Sequence, residues 1–64
     1  MGEKIVKIYE LVTDKAGLEA RMELAKRSGV PRSKAAQVED KDELLEKFIR
    51  LASEIIGQDV NDLL

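Results

Sequence analysis

Nowhere in these 64 residues do apolar side chains run more than two in a row. A membrane span takes about 20 consecutive apolar residues and a signal-peptide core about 7 to 15, so the sequence holds neither. The Met-Gly start lacks the Ser or Thr at position six that N-myristoylation wants; Val6 stands there. With no cysteine in the chain, a soluble cytoplasmic protein with no membrane partner is the expectation.

The apolar residues recur instead at helical intervals. Ile5, Ile8, Tyr9 and Val12 fall at i, i+3, i+4 and i+7, with Val6 and Leu11 widening the face. This stretch is also rich in β-branched residues, but it lacks the period-two alternation of a half-buried strand. Thr13 or Asp14 can cap a second helix and Gly29 can end it in a left-handed conformation; Gly17 lies near its start or marks a break. Leu18, Met22 and Ala25, with Leu24 beside them, form its expected inward stripe. Pro31 suits a first helical turn and opens a short third helix. Asp40, three residues before Glu43, resembles a capping-box start for a fourth, which Gly57 closes. Its residues Leu44, Leu45, Phe48, Leu51, Ala52, Ile55 and Ile56 make the broadest apolar face in the chain. The expected fold is all-α: one domain over residues 1–64, about four helices (approximately 3–13, 15–28, 31–38 and 41–56) and a short C-terminal turn capped by Asp59.

A chain of this length buries only roughly 60% of its unfolded surface. The sequence has no Cys for a disulfide and no His or Cys for structural zinc, so self-association is the remaining source of buried area. Leu44, Phe48, Leu51 and Ile55 are the candidate contacts for a second copy.

The same absences remove the imidazole base and the thiolate nucleophile. The acidic run Glu39 to Glu43 fails as an EF-hand, because counting from Asp40 the fifth and sixth positions are Leu44 and Leu45. No glycine sits in a phosphate-loop pattern. The expectation is a small binding module that is not an enzyme, with no catalytic residue, cofactor or metal.

Charge is unevenly spread. Residues 21–36 carry Arg21, Lys26, Arg27, Arg32 and Lys34 against Glu23 alone, while residues 37–64 carry eight acids against three bases. Within this block and just beyond it, Leu24-Ala25, Gly29-Val30, Ala35 and Val38 fall at the spacing of two short helices joined by a tight turn. Over residues 21–40 this pattern resembles the helix-turn-helix DNA-binding motif of phage repressors. The resemblance implies that Arg32, Ser33, Ala36 and Gln37 face the major groove of duplex DNA, with Lys26, Arg27 and Lys34 on phosphates. Ser28 stands where the family has a buried apolar residue, and Glu39, Asp40, Asp42 and Glu43 follow at once. The same residues also read as a plain joint, with Gly29 a C-cap and the bases a solvated face. On that reading the partner is a second copy of the chain or another protein, with no nucleic-acid role.

Overall fold

The computed structural model describes residues 2–39 and 41–64. The chain is all-helical: α1 spans Glu3–Ser28, α2 Arg32–Ala35 and α3 Asp42–Ile56, and a 3-10 turn at Val60–Asp62 ends it. Among the described residues, three α-helices and a 3-10 turn therefore stand in place of about four helices, and the reason lies in α1. Thr13 does not cap a new helix; its Oγ1 donates to the carbonyl of Tyr9 at 2.8 Å, one turn back. Helical structure runs on to Gly17, whose backbone (φ 86°, ψ −177°) leaves the helical region before it resumes.

That kink resets the helix's phase. Ile5, Ile8, Tyr9 and Val12 are fully buried, as their spacing predicts. At 100° per residue, an unbroken continuation would turn Glu19 and Glu23 toward the same core. After the kink the inward residues are Ala20, Leu24 and Ser28, spaced i, i+4 and i+8. The expected inward stripe is thus corrected: Leu18 is 59% and Met22 67% exposed, and Ala25 is half-buried.

Gly29 closes α1 in the left-handed conformation (φ 77°), its N–H bonded to the carbonyl of Ala25 at 3.0 Å. Gly57 closes α3 in the same way on Ser53 at 2.9 Å. The expected 31–38 helix shrinks to one turn, because Gln37 N–H bonds back only to Lys34 at 3.0 Å and the carbonyl of Ala36 is taken by Gly2 N–H at 3.3 Å. The approach of Gly2 is close enough that a Cβ there would lie 1.7 Å from the carbonyl oxygen of Ala35. Asp40, the expected cap of the last long helix, lies outside the described residues. Lys41, in extended conformation, flanks the start of α3 and makes no side-chain cap bond.

The core is built where α1 meets α3. The rings of Tyr9 and Phe48 meet edge to face, with centroids 5.6 Å apart and planes at 66°. Such a pair adds about 0.5–1.5 kcal/mol beyond the area it buries. Ala35, Ala52 and Val60 complete the enclosed set among the described residues, and Leu44, Leu45, Ile49, Leu51, Ile55 and Ile56 pack half-buried around it. The C-terminal turn is tied down by Ser53, whose Oγ accepts from Val60 N–H at 3.0 Å, while Asp59 caps the turn through Asn61 N–H, as the sequence predicts.

Gly17→Ala is expected to lower the unfolding free energy by about 1–3 kcal/mol in urea titration, because its φ and ψ lie in a region essentially reserved for glycine. Nothing lies within 4 Å of a Cβ at this position, so the cost is one of conformation rather than collision.

Candidate interaction surface

Two surfaces have side chains able to meet a partner: the basic segment around α2, and the outward side of α1 beyond the kink. The basic segment starts from a polar joint. Ser28 occupies a buried position, and its hydroxyl accepts from Val30 N–H at 3.2 Å and lies 3.4 Å from the carbonyls of Ala25 and Val30. Burying a hydroxyl without partners is costly, and here the joint's own backbone supplies them. The Tyr9 hydroxyl donates to the carbonyl of Val30, and Lys47 Nζ donates to that of Ser28 at 3.3 Å, where a cation suits the negative end of a helix. The joint after α1 is therefore held from both sides, by α1's own first half and by α3.

The residues implied by the helix-turn-helix resemblance differ in exposure and in neighbours. Lys26, Arg27, Ser33, Lys34 and Gln37 are exposed, whereas Arg32 is half-buried. Arg32 lines an open cleft of about 310 Å³ together with Tyr9, Glu10, Thr13, Asp14 and Arg21. Arg27 is occupied by carboxylates: its Nε lies 2.8 Å from Glu23 and its Nη1 3.9 Å from Glu54. Exposed ion pairs of this kind contribute only about 0–1 kcal/mol, but they hold the guanidinium against the protein. α2 has four residues and so rises only about 6 Å along its axis.

The residues expected to meet a second copy are also divided. Phe48 is fully enclosed in the chain's own core, while Leu44, Leu51 and Ile55 are half-buried against it. The large apolar side chains that solvent reaches most, among the described residues, are Leu18, Met22 and Leu64. Leu18 and Met22 stand one turn apart on the same side of α1. The sequence placed them inside because, with Ala25, they form an apolar stripe at helical spacing. The signal that corrects it is Gly17 together with Glu19 and Glu23, which an unbroken phase would have buried.

Among the described residues no group of three or more carboxylates is arranged to hold a metal ion, and no helix is long and apolar enough to cross a membrane.

Burial pushes the Tyr9 phenol above its ordinary value of 10.0, an effect opposed by a hydrogen bond with Ser28 and by the charges of Arg21 and Arg32. The folded chain thus holds this proton more tightly than the unfolded chain does. The stability it represents is complete below about pH 10 and is lost as pH rises through the folded value. The urea midpoint is expected to hold up to about pH 9.5 and then fall. Tyr9→Phe should remove this tyrosine's share of the fall while starting from a lower midpoint, since leaving the carbonyl of Val30 without its donor costs about 1–3 kcal/mol. No protein-family model, curated protein or solved structure matches the chain.

Proposed function

We propose that this chain is a small non-catalytic protein-interaction module, and that it meets its partner through the outward side of α1 rather than through the basic segment around α2. One observation carries the reading: Leu18 and Met22 are 59% and 67% exposed, one turn apart, on a helix whose opposite side is already packed. Covering both would contribute roughly 2–4 kcal/mol. That is a large gain for two side chains whose exposure does nothing for the monomer.

A second reading, duplex DNA binding, is favoured by the exposure of Lys26, Ser33, Lys34 and Gln37 along the resembling segment. Three features weigh against it. α2 is a single turn, where a recognition helix aligns three or four base-reading side chains along the groove. Arg32 shares its cleft with Glu10 and Asp14, and Arg27 is held by Glu23. The exposed acids Glu39, Asp42 and Glu43 follow directly and would face phosphate.

A photo-crosslinking residue at position 22, installed in cells that naturally produce the chain, is expected to capture a discrete polypeptide. The same residue at Glu46, exposed on α3, is expected to capture none. Equal diffuse labelling from both positions would defeat the interaction reading. In a gel-shift titration at low salt, micromolar protein is expected to leave a random duplex unshifted. A shift that Lys34→Ala and Gln37→Ala weaken would transfer the function to DNA.

A further inference from the structure

Resting on the reading of α1's outward side as an interaction surface, we infer that its occupant is a second copy of this chain, packed antiparallel about a two-fold axis near Met22. In this arrangement Glu19 of each copy meets the partner's Lys26.

Leu18, Met22 and Ala25 are spaced four and three, the rhythm of a seam between two paired helices. Small, half-buried Ala25 leaves room for the partner's Leu18 across the axis. Glu19 and Lys26 are seven residues apart and so flank this seam on the same side of the helix. Both are exposed, their charges are opposite, and neither has an ion-pair partner within 4 Å among the described residues.

The flanking charges also decide the direction. In an antiparallel pair, equivalent flanks face one another, which joins Glu19 to the partner's Lys26 twice over. In a parallel pair, opposite flanks meet, and Arg21 would face the partner's Lys26, a like-charge contact. Arg21, on the flank away from Glu19, is half-buried in the cleft it shares with the carboxylates of Glu10 and Asp14. A copy of the chain is therefore a partner whose charges already complement this side. The symmetry is that of a closed dimer, in which one patch serves as both halves of the interface.

The seam is only about two helical turns long, short of the area of a tight interface, so the dimer is weak and reversible, with a dissociation constant on the order of 10–100 µM.

The test is sedimentation equilibrium of the whole chain from about 5 µM to 1 mM. Wild type is expected to pass from monomer to dimer over this range, and Met22→Asp to stay monomeric with an unchanged helical circular-dichroism spectrum. Glu19→Lys alone and Lys26→Glu alone each place like charges across both contacts and should raise the dissociation constant by about tenfold. Mixed in equal amounts, these two variants should recover wild-type affinity as a heterodimer, an outcome that only the antiparallel pairing produces. The proposal is overturned by a wild-type monomer at 1 mM, by a dimer that Met22→Asp leaves intact, or by a mixture no tighter than its components. If the chain stays monomeric while a crosslinker at position 22 captures a polypeptide of another sequence, the second copy is excluded and the interaction surface stands. If it stays monomeric and nothing is captured, both readings fall.

Discussion

Tyr9 is the point through which the rest of the fold is connected. Its ring packs on Phe48 of α3, and its hydroxyl reaches the carbonyl of Val30 in the joint after α1. Three parts of the chain thus close on one side chain. With only two aromatics in the sequence, the chain brings both to the same place. A phenol can do this where a phenylalanine cannot, since its body belongs in an apolar core while its polar end requires an acceptor. The acceptor is the backbone carbonyl of Val30, two residues beyond the end of α1, and a carbonyl shielded from water is costly to leave without a donor. The same joint is braced by Ser28 and by Lys47, so a segment with little regular structure of its own is fixed by groups from both long helices.

Much of this was legible in the sequence wherever a single helix keeps its phase. The stripe Ile5, Ile8, Tyr9 and Val12 is the core stripe, and Phe48 with Ala52 leads the inner side of α3. Gly29 and Gly57 stop their helices because glycine takes the left-handed conformation at little cost. Asp59 caps the last turn because a short carboxylate reaches a free N–H two residues on. What was not legible shares one cause. Periodicity is measured from a starting residue, and a backbone step such as that at Gly17 changes the starting residue without changing the spacing. Leu18, Met22 and Ala25 keep helical rhythm, but the bend points that rhythm outward. The inward row beyond the bend is instead Ala20, Leu24 and Ser28, in which only Leu24 is large.

The two surfaces differ in kind. The basic segment is folded into the protein's own electrostatics: Arg27 with Glu23, and Arg32 in a cleft with Glu10 and Asp14. The outward side of α1 is apolar at its centre and charged at its edge, where Glu19 and Lys26 have no ion-pair partner within 4 Å among the described residues. Two bases of the block that the sequence presents together, Arg27 and Arg32, thus lie beside carboxylates, and two apolar residues that the sequence presents as core, Leu18 and Met22, are exposed.

The bend at Gly17 has a consequence for how such a chain can change. Before it, nearly every apolar side chain is committed to holding the molecule together, so substitutions there trade directly against folding. Beyond it, Leu18, Glu19, Met22 and Lys26 are exposed and can be exchanged at little cost to the native state. A single glycine thus divides one helical element into a half whose stripe Ile5, Ile8, Tyr9 and Val12 holds the core and a half that adds Ala20, Leu24 and Ser28 to it while leaving Leu18 and Met22 open to exchange.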